Sequence, residues 1–322
     1  MKSQWTYHLI LVLITFIVIS IAVVSRGRQA VAGILWNSNT IYCSLIGENC
    51  AIDLEGSDIK LGMYDPHGVF NDSSQIGVDH YFIDWNDSDL TSLKFDLDIS
   101  TTRNRWAMVS VEPWSNKELD KETLLSDVNK GLYNSQINNV CNILKLHDKP
   151  AFVRWGHEME NVTGRYPWAI EDSAQYISAY QHFVDRCKAI YSKGYYVWSP
   201  AGNKNLTNYW PGGKYIDYVG LSVYAFDQYD LKNYSHKRSF QEIVSEKYDY
   251  VDKFEKPIMI AELGVNGDSE YQKKWIGEGL TTVGQFPKIK NIIYFNSKDN
   301  ALAWSKDYAI PQWNIDRKIF SK

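Results

Sequence analysis

Ala151-Phe152-Val153-Arg154-Trp155-Gly156-His157-Glu158 is a short apolar run that breaks at a glycine and delivers a glutamate. Pro257-Ile258-Met259-Ile260-Ala261-Glu262-Leu263-Gly264, well downstream, does much the same. Neither run alternates apolar with polar residues, so each reads as a strand covered on both faces. Working outward from Ala151–Arg154 and Ile258–Ala261, similar runs occur at Lys60–Tyr64, His80–Asp84, Trp106–Val111, Tyr195–Trp198, Tyr218–Val223 and Ile292–Phe295. Helical spacing fills the gaps. Ile137, Val140, Cys141 and Leu144 recur on one face before Pro150, and Ile177, Tyr180, Phe183, Val184, Cys187 and Ile190 do so before Lys193-Gly194. Strand and helix alternating eight times predict an α/β fold, a single-domain (β/α)8 barrel. A doubly wound open sheet is the alternative, but no Gly-x-Gly-x-x-Gly turn comes after any of the runs.

The chain of 322 residues accommodates a barrel of ~250 residues once its N-terminus is set aside. Leu9–Val24 is a nearly unbroken apolar run, with Lys2 before it and Arg26 and Arg28 after it. Residues 1–32 are expected to be a signal-anchor or signal segment, 33–57 a linker and lead-in, and 58–322 the barrel. Ala30-Val31-Ala32 resembles a cleavage site, but the two arginines separate it from the apolar core, which favours retention in a membrane. The expected placement is therefore a membrane-anchored domain outside the cytoplasm, or a secreted one if the segment is cleaved. A net charge of -4 and the lack of a basic run give no electrostatic reason to bind nucleic acid. Of the four cysteines, Cys43 and Cys50 form a candidate disulfide, while Cys141 and Cys187 fall in the two helical patterns.

In such a barrel the chemistry collects at the C-terminal ends of the strands. The residues at those ends are Tyr64-Asp65, Asp84-Trp85, Glu112-Pro113-Trp114, Trp155-Gly156-His157-Glu158, Ser199-Pro200, Tyr224, Glu262 and Asn296, with Trp168 and Trp304 further on. Aspartate after a strand is weak evidence, since helix N-caps favour it; glutamate is not a favoured cap, so Glu112, Glu158 and Glu262 stand out. Paired carboxyl groups facing one sugar are needed for glycosidic hydrolysis, one to protonate the leaving oxygen and one to attack or to activate water. Trp85, Trp114, Trp168 and Trp304 are candidate platforms for sugar rings. Glu112 is either a sugar ligand or a partner that orients Arg154. His157-Glu158 lacks a second histidine at ligand spacing, so a zinc site is not expected, and the chemistry requires no cofactor.

These residues resemble glycoside hydrolase family 26, a family of retaining (β/α)8 mannanases and mixed-linkage β-glucanases. The likeness runs from about residue 59 to 313 and rests on three ordered blocks: Arg154-Trp-Gly-His-Glu-Met159 with Tyr166-Pro-Trp168; Val197-Trp-Ser-Pro200, Tyr209-Trp-Pro-Gly212 and Tyr215–Tyr224; and Pro257–Glu262. The resemblance implies that Glu158 is the general acid/base and Glu262 the nucleophile. It further implies that His157 takes the place of an asparagine found in other members of the clan, that Tyr224 hydrogen-bonds the nucleophile, and that Trp304 forms a floor for the reacting sugar. Glu160 and the segment Ala201-Gly202-Asn203 depart from the pattern, as does a small insertion before Tyr166. The expected activity is endo-hydrolysis of a β-linked polysaccharide, β-1,3-1,4-glucan ahead of β-mannan. An inactive barrel that only binds glycan is the competing reading; it would be marked by loss of either carboxylate.

Overall fold

The computed structural model describes residues 59–86, 90–115, 121–301 and 303–320. Leu9–Val24, the arginines after it and the Cys43–Cys50 pair lie outside these residues. Among the described residues no helix is long and apolar enough to cross a membrane.

A strand forms at each apolar run: β1 (Lys60–Tyr64), β2 (Val78–Asp84), β3 (Trp106–Glu112), β4 (Ala151–Trp155), β5 (Tyr195–Trp198), β6 (Tyr218–Ala225), β7 (Ile258–Val265) and β8 (Ile289–Phe295). They pair in chain order, all parallel, and β8 closes on β1 to complete a barrel. Several strands outrun the sequence expectation: β2 starts at Val78, β8 at Ile289, and β7 continues to Val265. The helices are α1 (Thr91–Thr102), α2 (Leu124–Asn129), α3 (Asn134–Leu146), α4 (Ser173–Ile190), α5 (Asp227–Tyr234), α6 (Phe240–Val251) and α7 (Ser269–Thr282). The faces read from helical spacing are the buried ones, with Ile137, Val140, Cys141 and Leu144 inward on α3.

Two cores follow from strands covered on both sides. The larger lies between the helices and the outer barrel face. The smaller fills the barrel itself, with Val78, Met108, Phe152, Val197, Met259, Ala261 and Ile293. Glycine takes the corresponding position where there is no room for a side chain. A Cβ on Gly62 would stand 2.4 Å from Ile293 and 2.8 Å from Val78, and one on Gly220 would stand 2.5 Å from the Ser199 hydroxyl.

Strand β7 departs from simple alternation. Leu221 pairs with Ile260, but Ser222, the next residue of β6, pairs with Glu262. Ala261 is thus the extra residue of a β-bulge, a device that re-aims side chains beside functional sites. Below it Met259 and Ala261 belong to the barrel interior. Above it Glu262 faces the barrel mouth, while Leu263 and Val265 join the outer core. The bulge shifts the phase of the strand and turns Glu262 inward.

Cys141 and Cys187 form a disulfide between α3 and α4, their Cα atoms 5.5 Å apart. The sequence places each cysteine on a buried helix face without revealing that the faces meet. The two helices follow one another around the barrel on either side of β4, which brings the faces together.

Candidate active site

The strands open at their C-terminal ends into a cleft of about 780 Å³, whose lining includes Glu112, His157, Glu158, Tyr224, Glu262 and Trp304. Glu262 is buried and held by two donors. The Arg154 guanidinium, itself fully buried on β4, donates to Oε1 at 2.6 Å, and the Tyr224 hydroxyl donates to Oε2 at 2.5 Å. Arg154 also donates to the Ser110 hydroxyl at 3.2 Å, and His80 Nε2 shares a 2.8 Å hydrogen bond with that hydroxyl. The guanidinium is thus held from β7 and β3, and β2 steadies the serine. Burial pushes the Glu262 carboxyl upward and the nearby Glu158 charge adds to it, while the Arg154 charge and the Tyr224 hydroxyl pull it down. Tyr224, raised well above the ordinary phenol value by burial and by the Glu262 charge, remains a donor.

Glu158 sits in the turn just after β4. Gly156 has φ +54°, and Glu158 itself has φ +54°, a left-handed conformation that a non-glycine residue adopts only under local constraint. The constraint is visible: Glu158 N–H donates to the Ser199 carbonyl at 2.8 Å, and its own carbonyl accepts from Asn161 N–H at 3.0 Å. This turn carries the carboxylate over to Ser222, whose hydroxyl donates to Oε1 at 2.6 Å. Ser222 is also the ladder partner of Glu262, so one residue of β6 links the two carboxylates.

His157 forms part of the cleft wall and is nearly buried, sharing a 3.1 Å hydrogen bond between Nε2 and the Tyr166 hydroxyl. Burial holds its imidazole well below the ordinary value, and the Arg154 and Arg165 charges push the same way, so it is neutral. Its 3.8 Å approach to Glu112 is therefore not an ion pair. Glu112 accepts from the Trp114 indole at 3.0 Å and makes no hydrogen bond to Arg154; burial raises its carboxyl. Among the described residues no three acidic, histidine or cysteine side chains cluster to hold a metal ion.

Three of the four tryptophans expected as sugar platforms do not line the cleft. Trp85 is buried, stacked on Tyr133 with centroids 4.9 Å apart, and its indole N–H donates to the Trp114 carbonyl. Trp168 is fully buried, stacked on Tyr166 at 4.5 Å and donating to the His157 carbonyl at 2.7 Å. Trp114 is half-buried against the same two rings. All three brace the loops instead, because an indole folded under a loop buries its ring and satisfies its N–H at once. Trp304 does line the cleft, its N–H anchored to Asp299 at 2.9 Å and its ring edge-on to Phe226 and Tyr229.

Sequence reading missed several cleft residues. Ser222 stands two residues before Tyr224, and Phe82 two after His80, so a period of two along their strands would have found them. Lys247 had no such signal. It reaches in from α6 to the carbonyls of Ala201 at 2.7 Å and Ser222 at 2.5 Å. Glu160, one of the departures from the family pattern, is buried and accepts from the backbone N–H groups of Gly202 and Asn203 at 2.8 and 3.1 Å. The altered β4 and β5 loops are thus bonded to each other.

The model of glycosyl hydrolase family 26 matches residues 37–277. Endoglucanase H of Acetivibrio thermocellus is 23% identical over 69% of this chain and 25% of its own length. A β-1,3-xylanase from Alcaligenes sp is 21% identical over 60% of this chain and 45% of its own length, so the chain spans less than half of either relative. Among solved structures, a family 26 β-mannanase from Bacteroides ovatus superposes with a TM-score of 0.57 at 16% identity, covering 83% of this chain and 87% of that one. The GH26C protein of Muricauda sp. MAR_2010_75 gives a TM-score of 0.56 at 14% identity, covering 74% and 78%. At such identities the structural likeness concerns the fold, whereas the family model matches most of the chain. The chain belongs to glycosyl hydrolase family 26 and is a glycoside hydrolase.

Proposed function

We propose that the protein is a retaining endo-β-glycanase in which Glu262 is the nucleophile and Glu158 the general acid/base. The observation that carries this reading is the unequal treatment of the two carboxylates. Glu262 is clamped by a buried guanidinium and a phenol, which favour its anion; Glu158 accepts one neutral hydroxyl from Ser222 and faces the cleft from a constrained turn. In the first step Glu262 bonds to the anomeric carbon while Glu158 gives its proton to the departing glycosidic oxygen. In the second, Glu158 takes a proton from water, whose oxygen bonds to the same carbon and expels Glu262. Trp304 supplies an apolar face at the cleft for the reacting sugar.

A β-1,3-1,4-glucan backbone is favoured, on the Tyr166-Pro-Trp168 block, with β-mannan next. The endoglucanase and xylanase names among the relatives fit a β-linked polymer in general. We place the catalytic domain outside the cytoplasm, tethered by Leu9–Val24. A polymer too large to cross a membrane and the Cys141–Cys187 cross-link, of a kind that persists in oxidising surroundings, both support this. Recovery of activity in membranes, with the domain open to external protease, is the expected result; a protease-protected domain would reject it.

Replacing Glu262 with Ala tests the mechanism. Turnover on lichenan is expected to vanish, and added azide to restore part of it on an activated aryl glycoside as a glycosyl azide of inverted configuration. Full activity of Glu262→Ala would remove this residue from the chemistry.

A further inference from the structure

Arg165 lies in the segment before Tyr166, where the chain departs from its family pattern, and it lines the cleft that holds Glu158 and Glu262. Among the described residues no hydrogen bond or ion pair reaches its guanidinium. It is held by a stack. The guanidinium carbon lies 4.6 Å from the centroid of the Tyr166 ring, Tyr166 is stacked on Trp168 with an interplanar angle of 17°, and Trp168 is anchored to the His157 carbonyl. Contact through a ring face takes none of an arginine's five N–H donors.

The carboxylates of the cleft are not its ion-pair partners. Glu262 has Arg154 and Tyr224, Glu158 has Ser222, Glu112 has Trp114, Glu246 has Arg238, and Asp299 has the indoles of Trp304 and Trp313. Burial pushes the Arg165 guanidinium down, but the Tyr166 phenol and the charges of Glu158, Asp299 and Glu262 outweigh it and keep the cation favoured. Lys298, also on the cleft wall, has no carboxylate partner among the described residues. A preoriented guanidinium with unused donors suits a planar or tetrahedral oxyanion better than a neutral hydroxyl, since its fork matches two oxygens at once.

We propose that Arg165 forms a subsite beside the catalytic carboxylates for an anionic group borne by the sugar, either a carboxylate, as in a uronic acid unit, or a sulfate ester. The proposal rests on the glycanase reading and narrows it to a polymer carrying acidic units.

The test uses three β-gluco-oligosaccharides that differ at one internal unit: neutral, oxidised to the glucuronate, or sulfated at O6. Turnover is measured on the full chain and on Arg165→Gln and Arg165→Lys, and binding on the same three proteins carrying Glu158→Gln. An anionic ligand should bind and react roughly 10- to 100-fold better than the neutral one, the range set by hydrogen bonds to charged groups. Arg165→Gln should erase that ratio, Arg165→Lys should keep part of it, and added salt should shrink it. Whether glucuronate or sulfate gains more identifies the source of the anion. Equal losses on neutral and anionic ligands in Arg165→Gln, or a neutral preference in the unaltered protein, would overturn the subsite. Turnover of the neutral ligand without charge preference rejects the subsite and keeps the glycanase. Arg165-dependent binding of the anion without any turnover does the reverse.

Discussion

Tyr224→Phe isolates one hydroxyl, the one donated to Glu262 Oε2 at 2.5 Å deep in the cleft. Phenylalanine keeps the ring, so packing against Trp313 at 4.7 Å between centroids is retained. A hydrogen bond to an ionised group contributes about 1.5–3 kcal/mol. At about 1.36 kcal/mol per factor of ten, its loss disfavours the anion roughly ten- to hundredfold. The direction is fixed: the hydroxyl favours the anion, so removing it raises a pKa that burial has already raised. Arg154, still donating at 2.6 Å, limits the shift to the contribution of one donor. The expected result is an acidic limb of the kcat/KM profile that moves to higher pH, the free-enzyme profile being the one that reports this group. Initial rates on a soluble β-glucan across the acid range, with a thermal melt of each protein as control, measure it. An acidic limb that stays in place, or moves to lower pH, would refute the assignment of Glu262 as the ionised group that has to be free.

Glu158→Ala should lose far more activity on oligosaccharides with poor leaving groups than on activated aryl glycosides, since only the former need a proton from the enzyme; equal losses would argue against an acid role. The Cys141–Cys187 bridge, with a sequence separation of 46, is expected to contribute about 4 kcal/mol in the chain-entropy account, so Cys141→Ser should lower the denaturation midpoint without changing kcat, as measured by chemical unfolding with and without reductant. An unchanged midpoint would show that the α3–α4 packing holds without the bridge.

The barrel could be read from sequence because strands buried on both faces leave uninterrupted apolar runs, and each such run became a strand. The carboxylates could be read because they end those runs. The fate of the aromatic rings could not. Trp85 and Trp304 both come after strands, yet Trp85 turns under its loop to stack on Tyr133, contributed by a distant segment, while Trp304 stays at the cleft. That choice is made by tertiary packing. The bulge at Ala261 is equally silent, since Ile258–Ala261 is apolar throughout and carries no alternation whose phase could be seen to slip. The disulfide was out of reach for a similar reason: spacing says which helix face a cysteine occupies, not which helix it meets.

Under the proposed mechanism, the left-handed backbone at Glu158 sets folding and chemistry against each other at a single position. A residue with a Cβ is held there at a cost of roughly 1–2 kcal/mol that glycine would not incur. Glycine would therefore suit the turn and end the reaction. Drift under selection for folding alone would lead toward a sturdier barrel that no longer cuts its substrate, and the glutamate persists only where turnover itself is selected. In a library screened for thermal tolerance, this position should be among the first where the survivors are inactive.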